Sequence, residues 1–141
     1  MPYATISDLI TQFGESEVVA ITDRSRIGVV DTVVADGALQ RASATIDSYL
    51  AARYPLPLSV VPHQLVDLCC DIARYKLLGS DVTETDPARY RYKDALRTLE
   101  HIRDGKIDIG LSVAGLAPAE SASIKTIGGG RKFDRASLSD Y

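Results

Sequence analysis

The sequence predicts a mainly α-helical protein: a small helical bundle with an extended arm and a C-terminal tail. Three long segments carry apolar residues at spacings of three and four, which place those residues on one face of a helix. Capping residues, prolines and glycines bound these segments. The 141 residues fit one domain, and with 6% aromatic residues and no tryptophan the core must be mostly aliphatic.

Two short helices are predicted at the N-terminus. The first begins at Thr5 or Ser7 and ends at Gly14, a typical C-terminal stop. Its apolar face consists of Ile6, Leu9, Ile10 and Phe13. The second covers about residues 15–21. Residues 22–35 follow. Their valines favour a strand, but Asp31 interrupts the run and Gly28 precedes it, so we interpret these residues as a connector.

Three longer helices should form the core of the bundle. They are predicted at residues 36–54, 62–78 and 87–104. Asp36 is a candidate N-cap for the first, Pro62 suits the first turn of the second, and Gly79 ends it. Asp86 followed by Pro87 is a strong start signal for the third, whose apolar residues recur at spacings close to a coiled-coil seam.

The segment after the first long helix cannot be helical, because prolines occupy two alternate positions. Residues Pro55, Leu56, Pro57 and Leu58 are therefore predicted to form an extended arm. Its apolar side chains need a surface on which to lie.

The C-terminal part differs in character from the bundle. Residues 107–113 alternate apolar and other side chains in a strand-like pattern, and nothing after Ala114 has a long amphipathic period. We divide the chain into a helical domain, 1–110, and an extended tail, 111–141. Scattered apolar or aromatic residues in the tail are candidate anchors that become ordered on binding: Ile124, Ile127, Phe133, Leu138 and Tyr141.

No set of residues in the sequence converges on a catalytic or metal site. His63 has Asp67 one turn later, but a solvent-exposed histidine is the simpler interpretation, as it is for His101. Cys69 and Cys70 lack the spacing of a zinc site; we expect Cys69 in the core and Cys70 partly exposed. We expect no enzyme activity, cofactor or metal.

Charge gives a weaker indication of partners. The formal net charge of -3 argues against duplex DNA as the main partner. Four cations on the last helix, Arg89, Arg91, Lys93 and Arg97, form either a face toward DNA or an acidic partner, or an ordinary solvated surface. The N-terminal residues do not resemble a signal peptide, no membrane span is visible, and we expect no membrane partner.

Several runs in the chain resemble one known family. They are RYPLPL at 53–58, Val61-Pro62, DIARYKL at 71–77, the opening YATISDL at 3–9 with Phe13-Gly14, Ile21-Thr-Asp23, and IDSYL at 46–50. Their order and spacing over about residues 3–110 are similar to the Mu-like phage head–tail connector family, long catalogued as a domain of unknown function.

The resemblance implies a structural role in the virion. Such adaptors form rings, usually of about twelve copies, beneath the portal of the capsid. The ring extends the channel through which packaged DNA passes without sequence-specific binding, and it docks the neck or tail-terminator protein. The implied location is the head–tail interface, with assembly in the host cytoplasm. The arm would then contact a neighbouring subunit, and the tail anchors would dock on a neighbour or the portal.

Two other functions remain open at this point. A small helical DNA-binding regulator would need a basic recognition helix, which only residues 87–104 approach. A small enzyme would need a convergent set of titratable groups. Salt-dependent binding of duplex DNA, or loss of an activity on changing His63 or His101, would favour one of these over a connector.

Overall fold

The computed structural model describes residues 1–79, 82–83 and 85–113, which contain five helices and no strand. The helices are α1 (Ile6–Phe13), α2 (Glu15–Thr22), α3 (Thr32–Leu50), α4 (His63–Leu78) and α5 (Pro87–Arg103). The predicted mainly α-helical bundle is confirmed. No helix in the described ranges combines the length and apolar character that crossing a membrane requires.

The central element of the fold is α4, which contacts each of the other four helices. Its side chains are therefore covered on several sides rather than on one face. The buried residues of α4 are Leu65, Leu68, Cys69, Cys70, Ile72, Ala73 and Leu77. The expected partial exposure of Cys70 is wrong, because this residue is fully buried beside Cys69. Tyr75 extends the packing by stacking on Tyr92 of α5, with ring centroids 4.0 Å apart.

The two short helices are fixed by local capping and by contacts to α4. Thr5 caps α1 and shares a reciprocal capping box with Asp8, whose carboxylate accepts from the Thr5 amide at 2.7 Å. These hydrogen bonds lower the pKa of Asp8. On α4, Arg74 pairs with Glu17 of α2 at 2.5 Å and lies 4.8 Å from the centroid of the Phe13 ring.

The start of α3 differs from the prediction. Asp31 is the N-cap, and its carboxylate accepts from the amides of Val33 and Val34 at 3.0 and 3.1 Å. Asp36 instead lies exposed within the helix. The helix thus begins four residues earlier than its predicted start, and it ends at Leu50, where a turn over residues 51–53 precedes the arm.

The predicted boundaries of α4 and α5 are close to those observed. Asp86 caps α5 by accepting from the Ala88 amide at 2.8 Å, and Pro87 is the first helical residue. Gly79 follows α4 as predicted. After α5 the chain turns at Gly105, which has a φ of +75° and faces the Arg53 guanidinium.

Residues 106–113 return along the bundle without pairing as a strand. Ile109 is buried, and Ile107, Leu111 and Val113 pack partly against the core. The apolar residues alternate with other residues in this segment because one side of it packs on the helices. Residues 111–113 continue this packing past the predicted domain boundary at 110, and the boundary itself stays a prediction.

Candidate functional site

The predicted arm leaves the bundle at the C-terminal end of α3. Tyr54 anchors its start in the core with only 2% of its surface exposed, and Leu58 packs partly against the core at its far end. Between them Pro55, Leu56 and Pro57 are exposed, and the Leu56–Pro57 peptide bond is cis. The arm is thus held at both ends and presents its middle to solvent.

Two grooves flank the arm. The larger, of about 370 Å³, lies against the N-terminus of the chain, and we call it the arm groove. Its lining residues are Met1, Pro2, Tyr3, Asp47, Leu56, Pro57, Leu58 and Val61. The smaller groove, of about 240 Å³, separates the arm from residues 110–112. Both are open clefts. Apolar groups predominate on the wall of the arm groove, whereas the smaller groove has a mixed wall that includes Ser59 and Ser112.

Hydrogen bonds to α3 hold the N-terminal wall of the arm groove. The Tyr3 amide donates to Ser43 Oγ at 2.9 Å, and the Tyr3 hydroxyl donates to the Asp47 carboxylate. Burial, reinforced by the hydrogen bond to Asp47 and its charge, raises the pKa of Tyr3 above its usual range. Tyr3 therefore stays neutral, and Asp47 is fixed at the wall of the groove.

A second apolar surface lies at the opposite end of α3, and the sequence analysis missed it. The loop between α2 and α3 exposes 72% of Ile27 and 59% of Val29, and the first turn of α3 exposes 80% of Val33. We call these three residues the apolar knob. Their exposure was missed because the valines were interpreted as a connector, although consecutive apolar residues in a predicted connector are themselves a sign of an exposed patch.

Backbone hydrogen bonds to one carboxylate shape the loop that carries the apolar knob. Asp23 Oδ1 accepts from the Ile27 amide at 3.0 Å, and Asp23 Oδ2 accepts from the Gly28 amide at 2.6 Å. These bonds lower the pKa of Asp23. Arg24 and Arg26 are exposed in the same loop, so the knob has cations at its edge.

The four predicted cations of α5 do not form one face. Arg91 pairs with Asp71 of α4 at 3.5 Å and lies 5.9 Å from the centroid of the Phe13 ring, so it faces α1 and α4. Arg89, Lys93 and Arg97 follow one another at four-residue spacing along a different side of the helix. Asp94 and Glu100 are also exposed on α5, which makes this surface mixed in charge.

The described residues contain no assembled catalytic or metal centre. His63 is exposed at a small groove that it shares with Asp8 and Asp67, and no hydrogen bond joins it to either carboxylate. Burial raises the pKa of the Cys70 thiol to about 12, and it also raises the pKa of Cys69. Within the described ranges no three His, Cys, Asp or Glu side chains are grouped to hold a metal ion.

The predicted tail anchors Ile124, Ile127, Phe133, Leu138 and Tyr141 lie outside the described residues. The structure therefore describes the arm and the α5 cations among the predicted sites, and it adds the apolar knob.

Comparisons with known proteins agree with the resemblance seen in the sequence. The family model described as "Bacteriophage Mu, Gp36" matches residues 3–126. Gene product J of Escherichia phage Mu is 42% identical over 125 residues, which cover 88% of this chain and 87% of that protein. The Mu-like prophage FluMu protein gp36 of Haemophilus influenzae is 48% identical over 83 residues, 59% of this chain and 57% of that protein. This chain is therefore a phage protein that belongs to the Mu Gp36 family.

Proposed function

We propose that this protein is a structural component of the virion, a head–tail connector that acts as a ring of copies beneath the portal. The ring extends the DNA channel and docks the neck or tail-terminator protein. It assembles in the host cytoplasm and stays at the head–tail interface. Its partners are other copies of the chain, the portal and the next neck or tail protein.

The observation that carries this proposal is the unpartnered apolar surface of a bundle whose own core is well filled. In the described part of the chain, Val33 and Ile27 are 80% and 72% exposed, while Leu39, Ile46 and Leu99 are almost completely buried. Large apolar side chains that stay exposed to solvent add nothing to the stability of a monomer, whereas an assembling subunit buries them in its interfaces. Membership of a phage family supports the virion as the place of assembly.

We further propose that the role involves no catalysis. Among the described residues, both cysteines are buried, Asp8 and Asp71 are engaged in a cap and an ion pair, and the exposed His63 has no hydrogen bond to a carboxylate. None of them provides the pair of nucleophile and oriented base that acyl or phosphoryl transfer requires.

The proposal is tested with the full-length chain and the purified portal of the same phage. We expect negative-stain images and mass photometry to show closed rings, alone or once portal is added, and we expect the two proteins to co-sediment. A chain that stays monomeric with portal present, and does not bind it, contradicts the proposal. Tight binding of short duplex DNA with a steep salt dependence would favour the DNA-binding regulator instead.

A further inference from the structure

We propose that residues 114–119 of the same chain lie in the arm groove. We call this stretch the tail root, and it follows directly on the last described residue, Val113. The inference goes beyond the proposed ring and does not depend on it, because it concerns a contact within one subunit. In the groove the tail root covers the apolar wall beside the arm, and it determines where the rest of the tail leaves the subunit.

The chain reaches the arm from a fixed position. Residues 110–112 border the smaller groove, and Leu111 and Val113 pack partly against the core. Pro57 and Leu58 line the smaller groove on one side of the arm and the arm groove on the other. The described chain therefore stops only the width of the arm away from the arm groove.

The tail root is long enough to cross the arm. Packed backbone segments with side chains between them lie about 10 Å apart. An extended chain covers about 3.3 Å per residue, so about three residues after Val113 span that distance. Leu116 is then the first large side chain to reach the groove, and Gly115 before it lets the backbone bend. Pro118 keeps Ala117 extended, as a segment lying along a groove requires.

The composition of the tail root matches the wall of the groove. The tail root has no charged side chain, and Glu120 is the first one after it. Among the described residues that line the arm groove, Asp47 carries the one side-chain charge, and the Tyr3 hydroxyl donates to it. Leu116 and Pro118 can therefore pack on the apolar wall without bringing a charge into it. Because the groove is open, the backbone amides of the tail root keep access to water.

Three observations favour the chain's own segment over a second copy. The tail root is tethered beside the groove, so its local concentration stays high however dilute the protein is. The apolar knob of another copy would bring charged neighbours of both signs with it, namely Asp23, Arg24, Arg26 and Asp31. The family match continues to residue 126, so the tail root follows the family pattern although the described core ends at Val113.

The contact is not expected to change the global stability measurably. Ordering the tail root costs conformational entropy, which opposes the gain from burying its apolar side chains. A chain without the tail then unfolds at nearly the same midpoint as the full chain. The test must therefore follow the arm groove itself.

A disulfide between two introduced cysteines tests the contact in the full chain. Val61→Cys places a thiol on the wall of the arm groove, and Leu116→Cys places one in the tail root. Val60→Cys with Leu116→Cys is the matched control, because Val60 is the more exposed of the two valines and does not line the groove. The thiols of Cys69 and Cys70 do not compete, because both are buried and burial raises their pKa.

Oxidation is followed by non-reducing gels and peptide mass spectrometry, at a concentration below that at which the chain assembles. We expect the Val61→Cys and Leu116→Cys pair to form a disulfide within one chain at least about fivefold faster than the control pair. Circular dichroism checks that each variant is folded. Should Val61→Cys not fold, Leu56→Cys provides a thiol on the same groove.

The alkylation rate of the Val61→Cys thiol gives an independent measurement. The docked tail root shields this position, so adding Leu116→Asp should raise the rate at least about threefold. Ser121→Asp, which lies outside the tail root, should leave the rate unchanged. The Val60→Cys thiol should react equally fast with and without Leu116→Asp.

Three results would overturn the proposed contact. They are equal rates of disulfide formation in the two pairs, a disulfide that joins two chains rather than one, and an alkylation rate that Leu116→Asp does not change. The second result would show that another copy fills the groove. None of them bears on the connector proposal, which fails separately if the unmodified chain neither assembles nor binds portal.

Discussion

The two adjacent cysteines show how completely the centre of the bundle excludes water. Consecutive residues of a helix point about 100° apart, so Cys69 and Cys70 can both be buried only where the helix is covered on two sides. The sequence pattern identified Cys69 as part of the apolar stripe of α4. It could not reveal the burial of Cys70, because the second covering layer comes from helices distant in sequence.

The buried thiols and Tyr3 predict that the protein loses stability in alkali. The Cys70 thiol titrates near pH 9 when the chain is unfolded, and burial raises its pKa to about 12 in the folded protein. Between these values the unfolded chain binds fewer protons, so the free energy of unfolding falls as pH rises. The fall is at most about 1.4 kcal/mol per pH unit for each such group. Tyr3, whose pKa is also raised, acts in the same direction above pH 10.

Urea unfolding at several pH values from 7 to 10.5 measures this dependence. We expect Cys70→Ala to lower stability at neutral pH, because it leaves a small cavity, but to flatten the decline above pH 9. Parallel pH curves for the variant and the unmodified chain would contradict the assignment of Cys70 to this effect.

At the scale of single elements, the beginning of α3 is where local pattern and structure disagree. Val33 and Val34 lie within this helix although valine favours strands. The cost of a β-branched residue in a helix is only about half a kcal/mol, which capping and packing outweigh. Asp31 provides two capping hydrogen bonds, and Ala35 and Ala38 are buried against the core. This packing cannot be predicted from the local pattern of a single sequence.

Two aspartate substitutions test where α3 begins. We expect Asp31→Ala to lower the free energy of unfolding by about 1 kcal/mol, because the Val33 and Val34 amides lose their acceptor. Asp36→Ala, the matched control, should change it by less than about 0.5 kcal/mol, since Asp36 is exposed inside the helix. Denaturant unfolding measures both, and a larger loss for Asp36→Ala would support the start predicted from the sequence.

The other elements were predictable for definite physical reasons. Asp86 caps the start of α5, and Pro87 has the backbone angle that a first helical residue needs. Glycines follow α1 and α4, where the backbone leaves the helical conformation. The extended arm was predictable because its two prolines exclude a helix. The alternation of residues 107–113 resembles a strand pattern, but strand formation also needs a pairing edge, which the helices around this segment do not offer.

At the scale of the whole molecule, the sequence identified the family and the arm but not the grooves and exposed apolar residues that the fold creates. The grooves and the knob depend on which ends of the helices lie together. That arrangement cannot be predicted from any short segment of the sequence. The placement of the α5 cations likewise could not be predicted from the sequence. The sequence analysis treats them as one candidate charged face, yet Arg91 lies toward Asp71 while Lys93 and Arg97 are on another side.

The predicted tail can be separated from the bundle by truncation. We expect a chain without residues 115–141 to keep the unfolding midpoint of the full chain, because the described core is formed by residues up to 113. Portal binding and assembly should weaken at least about tenfold if the tail anchors dock on a partner. Phe133→Asp in the full chain should reproduce part of that loss, and Ser121→Asp should not. Unchanged assembly by the truncated chain would contradict a docking role for the tail.

The turn at Gly105 has a consequence for how an assembled ring would look from outside. A Cβ at this position would come within 2.9 Å of the Arg53 guanidinium carbon, so the chain reverses tightly at the end of α5 and runs back past the arm. Val113, the last described residue of this return, therefore belongs to the same continuous stretch that borders the arm. If copies meet at the arm, each seam of the ring also contains residues 110–112 of one subunit, which border the arm. These residues would then recur around the ring at regular angular intervals, once for every subunit.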